Sequence, residues 1–370
     1  MEGRAFPSFV EQANVAYMSE WGLVTTIEDL DRVIDVVDKS AQRSRVMLIG
    51  HSLGASIVEE YAAWDFEGER GFDKLAGLVL IDGVSGNEGA AQNPLTKETY
   101  AAGPDTGIAG FGAPGLDAVR STTRYIALPF LGLKVYPIAA TAGMRATWSP
   151  DEIAIDPYRD NAFATLLALP IVPKMTNRGA MGLAFDDASN GISFAAVACG
   201  ESKGGPLESY DSLLGQTLVH PSDASATYDW IDFDETTPVE NTSVDDLARS
   251  WYEGPGLDFA EWYFPARLSL DVPAASTLVQ GPGDFAYDEH GMRAIHGASM
   301  DLPILAAAAG LIATTSAFDN LAALVDAVPI GEGRPLAGTP RSDEDAFTRV
   351  DISSLTHIDP LTGADTGAGK

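Results

Sequence analysis

The segment that most constrains the fold of this chain is a short apolar run followed by a glycine-rich turn and a helical pattern. The apolar run is 45–49, the turn is 50–54 (GHSLG), and the helical pattern covers 57–63. A run of this kind, in which Arg45 is followed by the four apolar residues 46–49, is typical of a buried strand. Because glycines flank Ser52 two residues away on each side, the pattern predicts a sharp strand-to-helix turn without room for side chains at those two positions.

A serine on such a turn is a candidate nucleophile. Its hydroxyl would project from the edge of the sheet, at a helix N-terminus that favours developing negative charge. The backbone N–H of the next residue would point at the oxyanion of a tetrahedral intermediate. Ser52 is therefore the predicted nucleophile of a nucleophile elbow, and Leu53 is the predicted oxyanion-hole donor.

The composition is that of an acidic globular protein. Of the 370 residues, 45% are hydrophobic and 21% are charged, and the formal net charge is -30, with 53 Asp and Glu against 23 Lys and Arg. A phosphate backbone needs a basic surface, so nucleic acid is not an expected partner. Since only 7 residues are lysines, the acidity suits a salty environment, where screening weakens self-repulsion. An ordinary solvated acidic surface explains it equally well.

Cysteine usage and apolar segments limit the remaining classes. The single cysteine, Cys199, excludes an intramolecular disulfide and lies in an apolar stretch, so we interpret it as a small buried side chain. No segment approaches the ~18 uninterrupted apolar residues of a membrane helix. The start of the chain lacks the apolar region of a signal peptide, which predicts a cytoplasmic protein, or a secreted one if the N-terminus is truncated.

The sequence implies no metal or cofactor. No group of His, Cys, Asp and Glu residues has metal-ligand spacing, and no glycine loop has the pattern that binds phosphate.

The segments around the turn predict a parallel sheet. Residues 26–38 have a helical apolar face, and Thr25 and Glu28 have capping-box spacing. After the turn and its helix, 78–81 forms a second apolar run that ends at Asp82. Strand, helix and strand at this spacing indicate parallel strands covered by helices.

A long insertion interrupts this pattern. From 87 to 265 periodicity weakens and aromatic residues are scattered among glycines and prolines. A stretch of this length needs structure of its own. We interpret it as a cap, or lid, over the sheet edge, in preference to an insertion that only packs. The predicted domains are therefore 1–86 (first part of the core, with the elbow), 87–265 (cap) and 266–370 (second part of the core).

In the last part, two segments compete to be the next strand. One is 276–280, which leads to a Gly-x-Gly turn and Asp284, and the other is 303–307, which is rich in alanine and could equally be helical. Residues 318–328 predict a helix and 347–352 a last short strand.

Five histidines are candidates for the general base. Four of them are poorly placed by sequence, because they flank the serine, belong to the insertion or lie in a polar segment: His51, His220, His290 and His296. His357 follows the last predicted strand, late in the chain, as the order serine, acid, histidine requires. We predict that His357 is the base.

The acid that orients the base stays open between two residues. Asp82 ends the strand after the elbow helix and should lie at the same sheet edge as Ser52. Asp284 follows the less certain strand 276–280. Sequence favours Asp82 slightly, because its strand is the more clearly defined.

The motifs at 50–54, 78–83 and 356–360 resemble those of the α/β-hydrolase superfamily, in particular lipase- and esterase-like members with a lid. The resemblance implies an α/β fold with a doubly wound, mostly parallel sheet, a Ser-His-Asp triad and an acyl-enzyme mechanism. In that family several strands precede the elbow and a loop supplies a second oxyanion N–H, whereas only 51 residues precede Ser52. The family usually ends with a helix after the histidine, and only 13 residues follow His357. The expected core is therefore reduced or truncated.

The sequence leads to two alternative functions. The first is a serine hydrolase that cleaves small-molecule carboxylic esters with an apolar part. The second is a weakly active or non-catalytic ligand-binding protein on the same scaffold, because the second oxyanion donor is missing from the sequence pattern. The oligomeric state and the identity of the substrate do not follow from the sequence.

Overall fold

The chain divides into two compact units. The computed structural model describes residues 10–84, 95–103, 114–127, 135–154, 171–211, 216–253, 263–312, 314–342 and 345–363. Unit 1 comprises 1–126, 263–308 and 312–352, and unit 2 comprises 127–262, 309–311 and 353–370. The main segment of unit 2 lies inside the predicted insertion 87–265. The C-terminal segment 353–370, predicted as part of the core, belongs to unit 2 instead.

The described residues contain both short strands and helices. The strands are β1 (Met47–His51), β2 (Asp65–Phe66), β3 (Glu69–Arg70), β4 (Gly77–Ile81), β5 (Tyr125–Ala127), β6 (Lys174–Met175), β7 (Gly200–Lys203), β8 (Leu207–Asp211), β9 (Thr217–Pro221), β10 (Thr227–Asp232), β11 (Tyr263–Pro265), β12 (Ile304–Ala308) and β13 (Phe347–Asp351). The α-helices are α1 (Leu23–Ile34), α2 (Lys39–Arg45), α3 (Leu53–Ala62), α4 (Lys97–Ala102), α5 (Leu116–Ser121), α6 (Val135–Trp148), α7 (Asn177–Phe185), α8 (Val244–Ser250), α9 (Leu268–Ala275), α10 (Phe285–His290), α11 (Asp319–Val325) and α12 (Asp359–Thr362). Short 3₁₀ helices cover Gln12–Glu20, Gly71–Lys74, Ser193–Ala195, Gly297–Ser299 and Thr315–Phe318.

A parallel sheet is the centre of unit 1. In the described ranges it has four strands in the order β1-β4-β12-β13, and each neighbouring pair is parallel. His51 is opposite Ile81, which is opposite Ala307, so the carboxyl ends of three strands meet at one edge. The protein therefore has an α/β fold, and this edge is where such sheets place their functional loops.

The two faces of this sheet differ in burial. On one face Leu78, Leu80 and Ala306 are fully buried in the core of unit 1. On the other face Met47 and Ile49 of the edge strand are 56% and 65% exposed. Apolar runs predicted β1 and β4 correctly, but they did not distinguish these two faces.

The first helix begins earlier than its sequence pattern predicts. The capping-box prediction for Thr25 is wrong, because α1 starts at Leu23. Its N-cap residue is Gly22, which has no side chain to cap the helix. The backbone N–H of Leu23 donates instead to Asp271 Oδ2 at 2.9 Å. A side chain distant in sequence thus stabilises the start of α1, a contact that the local pattern does not contain.

The competition between the two late strand candidates is decided by the structure. Residues Ile304–Ala308 form β12, between β4 and β13. The strand predicted for 276–280 is wrong, because Leu278 has φ 58°, in the left-handed region, and the segment is a loop after α9. The helix predicted for 318–328 and the strand predicted for 347–352 are confirmed as α11 and β13, with slightly shorter bounds.

Unit 2 has its own small sheet and core. Strand β10 pairs in parallel with β6 and antiparallel with β7, and β8 and β9 form an antiparallel pair. Tyr228 and Trp230 of β10 are buried in an apolar cluster with residues of α6, α7 and α8. No helix in the described ranges is long and apolar enough to cross a bilayer.

Candidate active site

The turn between β1 and α3 places Ser52 in an unusual backbone conformation. Ser52 has φ 54° and ψ -126°, values that L-residues rarely adopt. It is the N-cap residue of α3, yet its side chain makes no capping hydrogen bond to that helix. The hydroxyl is therefore not used by the helix that it precedes. The sequence-predicted strand, turn and helix are confirmed.

The two glycines that flank Ser52 have different roles. A Cβ on Gly50 would overlap the carbonyl oxygen of Gly54 and lie 2.6 Å from Ala55 Cα. A Cβ on Gly54 would have no neighbour within 4 Å among the residues that the structure describes. The prediction that both positions exclude side chains is correct for Gly50 and wrong for Gly54, because only the first packs on the beginning of α3.

A third glycine, Gly83, lies outside the elbow motif 50–54 and allows the end of β4 to lie against Ser52. The N–H of Ser52 donates to the carbonyl of Ile81 at 2.9 Å, which extends the pairing of β1 and β4 by one residue. A Cβ on Gly83 would overlap the carbonyl oxygen of Ser52 and lie 2.8 Å from its Cα. Gly83 therefore permits the close approach of the two strand ends. The sequence signal for it was the glycine directly after Asp82.

Asp82 lies at the same sheet edge as Ser52, as predicted. Its side chain is fully buried, and its φ of 50° is a left-handed value that aspartate tolerates better than most residues. The N–H of Asp82 donates to Ala307 of β12 at 2.8 Å. The backbone N–H of Ile312 donates to Asp82 Oδ1 at 2.9 Å, so a loop after β12 holds the carboxylate.

The alternative acid, Asp284, lies on a different kind of element. It precedes α10, and its Oδ2 accepts the N–H of Gly281 at 2.8 Å. The strand that was expected to bring it to the sheet edge does not exist in this segment. Of the two candidate acids, the structure brings only Asp82 to the carboxyl edge of the parallel sheet beside Ser52.

His357 belongs to unit 2, whereas Ser52 and Asp82 belong to unit 1. It is 3% exposed and lies on the turn before α12, and the neighbouring Ile358 is part of the core of unit 2. The predicted triad therefore has two members in unit 1 and one in unit 2.

Three of the other histidines have contacts of their own. His220 is buried, and its Nδ1 lies 2.6 Å from the carbonyl oxygen of Pro221. His290 stacks on Tyr100 with ring centroids 4.6 Å apart, and its burial lowers its pKa. His296 Nε2 lies 2.9 Å from Asp65 Oδ1.

The pair of His296 and Asp65 is too distant to serve Ser52. Asp65 follows the carboxyl end of α3, whereas Ser52 precedes its amino end. A helix of this length separates its two ends by about 15 Å. This pair therefore has no place in a site at the carboxyl edge of the sheet.

Leu53 is the first residue of α3, and its backbone N–H consequently has no acceptor within the helix. This is the position that the sequence predicts for an oxyanion donor. A negative charge at this end of α3 is also favoured by the helix dipole.

The described residues offer neither a reactive thiol nor a metal site. Cys199 is fully buried, as predicted, and burial together with the nearby Asp186 raises the pKa of its thiol, which opposes a nucleophilic role. Among the described residues no group of His, Cys, Asp and Glu side chains is arranged to hold a metal ion.

Comparisons with protein-family models, with curated proteins and with solved structures find no match to this chain.

Proposed function

We propose that this protein is a serine hydrolase that cleaves carboxylic esters of apolar substrates through an acyl-enzyme intermediate. The observation that carries the proposal is the backbone of Ser52, held at φ 54° and ψ -126° between a parallel strand and a helix N-terminus. Such strain is typical of functional sites, because it exposes a side chain that a relaxed turn would not.

Each residue has a defined role in the proposed reaction. Ser52 Oγ attacks the ester carbonyl while His357 accepts its proton, and the Leu53 N–H stabilises the oxyanion. The tetrahedral intermediate expels the alcohol, which takes the proton from His357. Water, deprotonated by His357, then attacks the acyl-enzyme. As the bond from the acyl carbon to Ser52 Oγ breaks, His357 returns the proton to Ser52 Oγ and the carboxylic acid is released. Asp82 fixes the tautomer of His357 and stabilises its protonated form.

The central sheet and the insertion also have proposed roles. We propose that the parallel sheet of unit 1 belongs to a doubly wound core of the α/β-hydrolase type and that 87–265 acts as its cap. Aromatic side chains in unit 2 support the proposal that the substrate is apolar. Trp148 is 69% exposed there, and its ring lies 5.8 Å from that of Tyr252.

Turnover of p-nitrophenyl esters of increasing acyl length tests this proposal. The wild-type protein should release p-nitrophenol with saturation kinetics, and Ser52→Ala should reduce the rate to the background. Ser44→Ala is the matched control, because Ser44 is an exposed serine on α2 whose hydroxyl donates to Ala41. Equal rates for the wild type and Ser52→Ala would contradict the proposal. Binding of the esters without turnover would favour a ligand-binding protein.

A further inference from the structure

The turn that carries His357 is held by a buried carboxylate two residues further along the chain. Asp359 is 2% exposed. Its Oδ2 accepts the backbone N–H of Thr356 at 2.9 Å and the Asn241 Nδ2–H at 3.2 Å. One oxygen thus closes the turn around His357 and also ties it to another segment of unit 2.

The second carboxylate oxygen anchors the same turn to a buried part of unit 2. Asp359 Oδ1 accepts the hydroxyl of Thr242 at 2.7 Å and the backbone N–H of Ala198 at 3.1 Å. These four donors are uncharged, and a buried carboxylate needs such hydrogen bonds to offset the loss of water. Because both oxygens are used in this way, Asp359 acts on the backbone around His357.

Two further contacts fix the backbone on the other side of the histidine. Thr356 Oγ1 donates to the carbonyl of Ala196 at 2.8 Å. A Cβ on Gly310 would lie 3.0 Å from Thr356 Cα and 3.1 Å from the backbone nitrogen of His357. The turn is therefore packed closely against the chain at 310 as well as hydrogen-bonded to 196–198.

We propose that Asp359 is a positioning residue that sets the orientation of His357 through the turn 356–359. The inference rests on the proposed function, because its effect is exerted through His357 as the general base. Asp359 touches neither the substrate nor the reacting atoms in this scheme. Its contribution is the fixed backbone from which the imidazole projects.

Asp359→Asn isolates this contribution with little change in volume. An amide NH₂ cannot accept the hydrogen bonds of Thr356 and Asn241, so one side of the turn loses its acceptor. A displaced base reduces the rate of the chemical step more than substrate binding, and a misplacement of 1 Å costs on the order of 100-fold. We expect kcat to fall by about 100-fold with KM almost unchanged.

The experiment separates positioning from simple loss of folded protein. The final extent of labelling by a fluorophosphonate counts the competent sites, and kcat is then expressed per competent site. Asp234→Asn, an exposed aspartate of the same unit, is the matched control and should keep the wild-type kcat. A fall in labelled sites with normal kcat per site would show a structural role only and would overturn the inference.

A second pair of variants applies if Asp359→Asn does not fold. Thr242 is fully buried, and Thr242→Val removes its hydroxyl with little change in shape. Thr242→Ser keeps the hydroxyl and should restore kcat per site, whereas Thr242→Val should lower it. Equal kcat for these two variants would overturn the inference. If the wild type itself shows no turnover that depends on Ser52, the proposed function and this inference both fail.

Discussion

Ser52 combines a polar side chain with a backbone conformation suited to glycine. A residue held in such a region costs about 1–3 kcal/mol, which the surrounding structure must offset. The pairing of its N–H with Ile81 and the missing side chains at Gly50 and Gly83 make the conformation accessible. The site is therefore set by the packing of three backbone segments.

The two flanking glycines allow a direct test of this packing. Gly50→Ala should lower the free energy of unfolding by about 3 kcal/mol or more, because its Cβ meets the backbone of Gly54 and Ala55. Gly54→Ala is the matched control. It should leave stability unchanged or raise it by up to about 1 kcal/mol, since alanine favours the helix. Urea unfolding of the two variants measures the difference, and equal losses would contradict the account.

A second prediction at the residue scale distinguishes the two candidate acids. Asp82→Asn should lower kcat by about 10⁴-fold, because an amide cannot stabilise the protonated base or fix its tautomer. Asp284→Asn should leave kcat unchanged, since Asp284 belongs to the start of α10. Steady-state kinetics of the two purified variants measure kcat for each. A large loss in Asp284→Asn alone would reverse the assignment.

At the scale of elements, sequence predicted the parts of the fold whose signal is local. Hydrophobic periodicity and a glycine motif were enough to predict β1, β4 and the helix after Ser52. Alanine-rich β12 was ambiguous, because its strand conformation comes from its position between β4 and β13. The strand predicted for 276–280 is wrong, because Leu278 has a left-handed φ in a loop, which its apolar neighbours in sequence do not indicate.

The positions of two candidate site residues were predictable to the same degree. Ser52 and the placement of Asp82 followed from strand ends that a parallel sheet brings to one edge. The contacts that hold Asp359 were not predictable, since Thr242 and Ala198 are 117 and 161 residues away in sequence. The clustering of the described residues 353–363 with unit 2 likewise depends on long-range packing.

Buried carboxyl groups in unit 2 should make the stability of the protein depend on pH. Burial, together with the nearby Asp187, Asp359 and Glu201, raises the pKa of Glu240 to about 7. Burial also raises the pKa of Asp186. The folded state therefore binds protons that the unfolded state releases between the ordinary carboxyl pKa and about 7. These groups therefore contribute to the free energy of unfolding at the acidic end of this interval. Their contribution decreases as the pH rises through it.

Thermal unfolding at about pH 5.5 and about pH 8 measures this effect, with the higher midpoint expected at the lower pH. Glu240→Gln should reduce the difference between the two midpoints, because it removes one of the groups that titrate. Glu235→Gln, an exposed glutamate of the same loop, is the control and should retain the wild-type difference. A midpoint that rises with pH in the wild type would contradict the linkage.

For the whole molecule, the net charge of -30 is the dominant electrostatic feature. Repulsion among surface carboxylates opposes the folded state, and salt reduces it because the screening length falls to about 3 Å at 1 M. We expect the unfolding temperature to rise between about 0.05 and 1 M NaCl. The same rise in KCl at equal ionic strength serves as the control. A fall in both salts would contradict this interpretation of the acidity.

The central claim is that Ser52 is an activated nucleophile. Intact-protein mass spectrometry after reaction with a fluorophosphonate, followed by peptide mapping, tests it most directly. The account predicts one adduct per chain, located on Ser52, and no adduct on Ser52→Ala under the same conditions. An unmodified wild-type protein, or equal modification of the wild type and Ser52→Ala, would contradict the claim.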